Sequence, residues 1–224
     1  MAVAEQRGGL GEGRSAVSAA WIAPPGAVAW FVVAHGAGAG MDHPFLVGLS
    51  RAMADEGIAT ARFNFHYVNA GRRSPDPEPA LRAAWAEAFE GVHAMSGGLP
   101  VLVGGKSLGG RIASMCVAEG MPAAGLVFLG YPLHPPGKPE RVRDGHLYEI
   151  LVPMLFLQGT RDPFAQGSLL AKVLDKLGSR AELHVVEGGD HSFRVRGIKA
   201  DDREIGAGLA AVAAPFVRRV AGVR

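Results

Sequence analysis

Cysteine is almost absent from this chain. Cys116 is the single one, so no disulfide can form within it and a disulfide-stapled secreted scaffold is excluded. Charge of one sign is lacking as well. Lys and Arg number 23 against 21 Asp and Glu, which leaves a formal net charge of +2. With no basic stripe along any segment, nothing argues for a nucleic-acid partner. No apolar run of about eighteen residues occurs, so no membrane span is expected. The opening MAVAEQRGGLGEGRS has no apolar stretch of the kind a secretory signal needs. A cytoplasmic protein is the expectation. The eight histidines are scattered without H-x-H or H-E-x-x-H spacing, so no metal centre is expected.

What is present is apolar residues at 48% with charged ones at 20%, the balance of a folded domain. At 224 residues the chain suits one domain with a sizeable core. Residues 1–14 are Gly-rich and read as a flexible N-terminus. Residues 15–224 read as a single domain.

Two runs, 15–22 and 28–34, flank Pro24-Pro25-Gly26 and read as strands joined by a turn. An alternation follows. Leu46, Leu49 and Met53 share a helical face that ends near Gly57, and 59–65 (ATARFNF) reads as a strand. From Pro79, the residues Leu81, Trp85, Ala88, Val92 and Met95 recur at spacings of three and four, the period of an amphipathic helix. Strands are expected at 101–103, 124–129, 153–158 and 182–186, with helices after the first and third. A last helix carries Ile205, Leu209, Val212, Phe216 and Val220, with Pro215 as a candidate kink. Short apolar strands separated by helices give an α/β fold with a mostly parallel sheet covered on both faces. Its chemistry is expected beyond the carboxyl ends of the strands.

Four features fall at such ends. Gly105-Lys106-Ser107-Leu108-Gly109 is a G-x-S-x-G between a strand and a helix, the sharp turn that exposes a serine hydroxyl as a nucleophile. In a chain this rich in glycine the pattern alone decides little. His35-Gly36-Ala37-Gly38-Ala39-Gly40 follows the 28–34 strand. Its backbone N–H groups, Ala37 above all, join that of Leu108 as candidate donors to an oxyanion. His35 reads as a support for that loop. Asp162, in GTRDP, and His191, in GGDHSF, are the candidate acid and base. Asp190 competes for the acid role, but it adjoins His191 in sequence and is poorly placed to reach its ring. The order Ser107, Asp162, His191 is the order of an α/β-hydrolase triad.

Other readings of the same glycines fail. A phosphate loop needs a glycine where Pro100 stands. A dinucleotide fingerprint fails at Met41 and His43, and no acidic residue follows the next strand. No cofactor is expected.

The segments HGAGAGMDHPFL (35–46), RFNFHY (62–67), GGKSLGGRIAS (104–114), GYPLHPPGKPE (130–140), QGTRDPF (158–164) and GGDHSF (188–193) together resemble the α/β-hydrolase superfamily. Within it the resemblance is to the small, capless, dienelactone-hydrolase-like group. One departure stands out, since true dienelactone hydrolases use a cysteine nucleophile and this chain has Ser107. The resemblance implies an α/β-hydrolase fold without a cap domain and a Ser107–His191–Asp162 triad. The activity expected is hydrolysis of a small or accessible carboxylic ester or thioester. The alternatives are a non-catalytic binding or scaffold protein on that fold, or an amide or peptide hydrolase using the same triad. His43, Phe65, Tyr67 and Lys106 are the candidate pocket residues, Lys106 facing either an anionic substrate or a nearby acid. The Pro-rich loop 132–148 is the candidate lid. The expected partner is a small-molecule ester, and a homodimer is compatible with the reading.

Overall fold

Short apolar runs and amphipathic segments assemble into one eight-stranded sheet in a computed structural model that describes residues 3–11, 13 and 16–223. The strands are β1 (Gln6–Leu10), β2 (Val17–Ile22), β3 (Trp30–Ala34), β4 (Ala59–Phe63), β5 (Val101–Lys106), β6 (Leu126–Leu129), β7 (Met154–Gly159) and β8 (Ala181–Val186). The helices are α1 (Pro44–Asp55), α2 (His66–Asn69), α3 (Glu78–Met95), α4 (Leu108–Ala118), α5 (Gly167–Leu177) and α6 (Asp202–Val220). The spatial order is β1-β2-β4-β3-β5-β6-β7-β8. β2 runs antiparallel to both its neighbours, and the strands from β4 to β8 are parallel.

The residue types explain the layers. β3 is buried at every position, and Trp30 and Val32 face one core while Phe31 and Val33 face the other. α3, α4 and α5 cover the first face, through residues such as Trp85, Ile112 and Leu170. α1 and α6 cover the second, through Leu46, Leu49, Leu209 and Phe216. α1 leads from β3 outward to β4, whereas α4 leads from β5 the other way to β6. Right-handed crossovers in opposite directions must place these helices on opposite faces. The sequence order therefore reverses between β3 and β5, and a crevice opens at their carboxyl ends.

α1 and α6 touch backbone to backbone. A Cβ on Gly48 would lie 2.0 Å from the Arg203 carbonyl oxygen, and one on Gly206 would lie 2.0 Å from that of Phe45. The absence of side chains there brings the start of α6 against the start of α1. α6 continues through Pro215, an exposed residue of the helix.

One expectation needs correction. Residues 6–10, read as part of a flexible N-terminus, form edge strand β1. QRGGL has no apolar period and becomes a strand only by pairing with β2. Arg7 reaches Asp42, the buried Arg62 of β4 reaches Glu5, and Trp21 Nε1 donates to Gln6 Oε1. Residues 1, 2, 12, 14 and 15 lie outside the described residues. The turn at Pro25-Gly26 joins the strands on either side of it, as expected, and in the sheet β4 lies between those two strands.

Candidate active site

β5 runs through Gly104 and Gly105 to Lys106, and α4 begins at Leu108. Ser107 alone makes the reversal, at φ 50 and ψ −111. A side-chain-bearing residue held at positive φ carries strain that its surroundings must over-determine. Here the surroundings are close-packed backbone. A Cβ on Gly105 or on Gly109 would lie 2.5 Å from the Ala34 carbonyl oxygen of β3. Small residues on both sides of the serine let the turn sit tightly on the neighbouring strand. Ser107 N–H donates to the Leu129 carbonyl, and the Ser107 carbonyl accepts from Arg111 N–H in the first turn of α4.

His191 comes from the loop after β8. Asp190 shapes that loop. Its Oδ1 accepts from the N–H groups of Ser192 (2.8 Å) and Arg194 (2.9 Å), and its backbone N–H donates to the Arg194 carbonyl. Its carboxylate is thus engaged with backbone. His191 Nε2 lies 2.9 Å from Ser107 Oγ, and Nδ1 lies 2.7 Å from Asp162 Oδ2. With a carboxylate on Nδ1, the neutral ring carries its proton there and leaves Nε2 free to accept from the serine hydroxyl. Asp162 is buried, its Oδ1 accepting from Phe164 N–H at 2.8 Å and its Oδ2 from Gln158 Nε2 at 2.6 Å.

The loop after β3 is set by His35. Its ring is fully buried; Nδ1–H donates to the Gly36 carbonyl and Nε2 accepts from Phe65 N–H. Burial lowers the His35 imidazole to about 4, so both bonds come from the neutral ring. A trans peptide points its N–H opposite to its carbonyl. Fixing the Gly36 oxygen therefore turns Ala37 N–H away from His35. Asn64 Oδ1 accepts from Met41 N–H at 2.7 Å and holds the far end of the loop.

Ser107 and His191 open onto a cavity of about 410 Å³. Ala37, Phe45, Leu46 and Phe164 supply apolar wall, and His43, Arg194 and Asp202 supply its polar rim. Arg194 pairs with Asp202 at 2.6 Å, and His43 Nε2 lies 3.8 Å from the same carboxylate. His43 also caps α1, its Nδ1 accepting from Phe45 N–H. Phe164 packs at a tilt against the His191 ring, centroids 4.3 Å apart and planes 34° apart. Leu108 directly follows the serine as the first residue of α4.

Ser107, His191 and Asp162 are thus brought together, with Ala37, His43 and Lys106 on the same cavity. Phe65 and Tyr67 are not part of it. Both were expected as pocket walls, but both are fully buried and stack on each other under His35. The chain leaves β4 at Phe63 and turns into α2, which tucks these rings beneath the loop instead of toward substrate. The 132–148 loop, the candidate lid, contributes no residue to the cavity. It is tied down by Tyr131 Oη to the Arg143 carbonyl and by Ser114 Oγ to His146 Nε2.

Sequence reasoning missed Gln158, Phe164, Arg194 and Asp202. Gln158 did carry a signal, as a polar residue closing a buried strand. Its Oε1 accepts from Tyr131 N–H while its amide holds Asp162. The other three gave none, since their roles depend on elements far apart in the chain.

Comparison with known proteins agrees with this architecture. The family model described as "Alpha/beta hydrolase domain" matches residues 27–218. Among solved structures, a dienelactone hydrolase from Anabaena variabilis superposes with a TM-score of 0.78 at 19% identity, covering 98% of this chain and 99% of that one. An a/b serine hydrolase without lid from Xanthomonas campestris gives 0.73 at 20% identity, with 96% and 94% covered. An alpha-beta serine hydrolase homologue from Coxiella burnetii gives 0.73 at 17% identity, with 97% and 98% covered. Among the described residues no helix is long and apolar enough to cross a membrane.

Proposed function

This chain belongs to the alpha/beta hydrolase domain family, and from that premise we propose that it hydrolyses small or accessible carboxylic esters or thioesters through an acyl-enzyme on Ser107. The observation that carries this reading is the unbroken Asp162–His191–Ser107 hydrogen-bond chain at the mouth of one cavity. His191 Nε2 takes the hydroxyl proton as Ser107 Oγ attacks the carbonyl carbon, and Asp162 holds the imidazolium that forms. The carbonyl oxygen becomes an oxyanion, received by the N–H groups of Leu108 and Ala37. Collapse expels the alcohol or thiol, protonated by His191. Water, deprotonated by the same ring, then releases the acid and restores the serine.

A cavity of about 410 Å³ lies at the small end of the range for ligand pockets. Its short apolar wall of Phe45, Leu46 and Phe164 fits a short acyl chain. The single cysteine, Cys116, is buried in α4, and such usage suits a reducing compartment such as the cytoplasm.

A fluorophosphonate probe and a series of p-nitrophenyl esters test the reading, with Ser107→Ala as control. Labelling confined to the serine enzyme, with turnover falling as the acyl chain lengthens, is the expected result. Turnover no greater than that of Ser107→Ala, with no labelling, would remove the hydrolase reading and leave a binding protein on this fold.

A further inference from the structure

Lys106 closes β5 immediately before the strained serine, and its side chain lies on the sheet face covered by α1 and α6. Its aliphatic part packs beside Gly36, where an added Cβ would meet Lys106 Cγ at 3.6 Å. From there the chain passes under the His191 loop. Nζ stands over the Phe193 ring, 5.6 Å from its centroid. Phe193 is itself held at φ 63, so the loop is strained to put that ring there.

Gly130 marks where the ammonium ends. A Cβ on Gly130 would lie 3.2 Å from Lys106 Nζ, 3.4 Å from the His191 carbonyl oxygen and 3.5 Å from Asp162 Oδ2. Cation, acid and the backbone of the base thus surround one point, kept empty by a glycine at φ 72. Among the described residues no carboxylate lies within ion-pair distance of Nζ. The charge faces Asp162 and Asp190, from the loops after β7 and β8, without touching either. The remaining charged groups nearby, Arg194, Asp202 and His43, lie at the cavity rim.

We propose that Lys106 is a positioning residue for the triad, its ammonium held behind Asp162 so that it opposes charging of His191 and keeps the base neutral into mildly acidic conditions. This rests on the hydrolase reading above. A half-buried amine with no carboxylate in contact has no structural ion pair to maintain, and its field falls on the acid–base pair. Burial lowers the Lys106 ammonium to about 8, with Asp162 and Asp190 pulling the other way. It therefore remains charged through the pH range in which a histidine base titrates.

The test is the pH dependence of kcat/KM on p-nitrophenyl acetate. In Lys106→Met the acid limb moves up by about one pH unit, as expected for removing a unit charge several ångström away under protein-like screening. Lys106→Arg keeps the charge and the original limb. Coincident limbs in wild type and Lys106→Met, whatever the plateau heights, overturn the proposal. So does an equal shift in Lys106→Arg, which would mark packing as the cause. A second arm needs neither ester turnover nor a Lys106 variant. In NMR titration of ¹³C-lysine-labelled protein, one lysine is expected with its midpoint near 8, moving lower in Asp162→Asn. Absence of such a lysine, or one indifferent to Asp162→Asn, also overturns the proposal. Because this arm reads the charge coupling directly, failure of the hydrolase reading and failure of this one are distinguishable.

Discussion

Two histidines stand at strand ends on either side of Ser107, and they are used in opposite ways. His35 follows β3, fully buried, with both ring nitrogens committed to backbone. His191 follows β8 on a glycine-bearing loop, partly exposed, with its ring between a carboxylate and a hydroxyl. The same side chain becomes scaffold or candidate base according to its partners. A ring with two backbone bonds has no lone pair left for a proton in flight. A ring with Asp162 on Nδ1 has Nε2 free for one.

The contrast is broken most strongly by removing each ring. His191→Ala should lower kcat by about a millionfold while the fold is retained, the loss seen when a member of a coupled triad is deleted. Stopped-flow ester hydrolysis with circular dichroism as fold control measures it. Asp162→Asn should cost roughly ten thousandfold, because the amide favours the wrong ring tautomer. A loss of that size in Asp190→Asn would instead show that the acid had been assigned to the wrong carboxylate.

His35→Gln sharpens the other side. Loosening the Gly36–Ala37 peptide should cost about a hundredfold in kcat, the scale of one misplaced oxyanion donor. The same variant carries a stability signature. His35 falls from 6.5 unfolded to about 4 in the fold, so below pH 6.5 the unfolded chain binds a proton that the folded one refuses. Stability is therefore full above pH 6.5 and falls as pH drops toward 4, by about 3 kcal/mol for this group. Urea unfolding at a series of pH values should show that slope in wild type and a flatter one in His35→Gln. Asp190→Asn, whose amide oxygen can still accept from Ser192 and Arg194, should change kcat only a few-fold.

Much of this site was readable before any coordinates. Ser107, Asp162 and His191 each follow a short apolar run, and such runs end where a parallel sheet presents its loops. The choice of Asp162 over Asp190 also followed from the chain, since adjacent residues seldom meet ring to carboxylate. What could not be read was direction after a strand ends. Phe65 and Tyr67 follow β4 as His35 follows β3, yet α2 turns them under the loop and out of the cavity. β1 escaped notice because QRGGL owes its extended form to β2, Asp42 and Arg62.

Local chemistry alone determined the succession of strands and helices, the sharp turn at Ser107 and the order of Ser107, Asp162 and His191 along the chain. These follow from apolar periodicity and glycine placement within a few residues. Tertiary structure decided the pairings. Ser107 and His191 meet across 84 positions of chain, and His191 and Asp162 across 29. Tertiary packing likewise set Arg194 against Asp202 at the rim and carried the Lys106 ammonium behind the acid. Hydrogen bonds and charge interactions act over a few ångström, and only the folded sheet brings such distant residues that close.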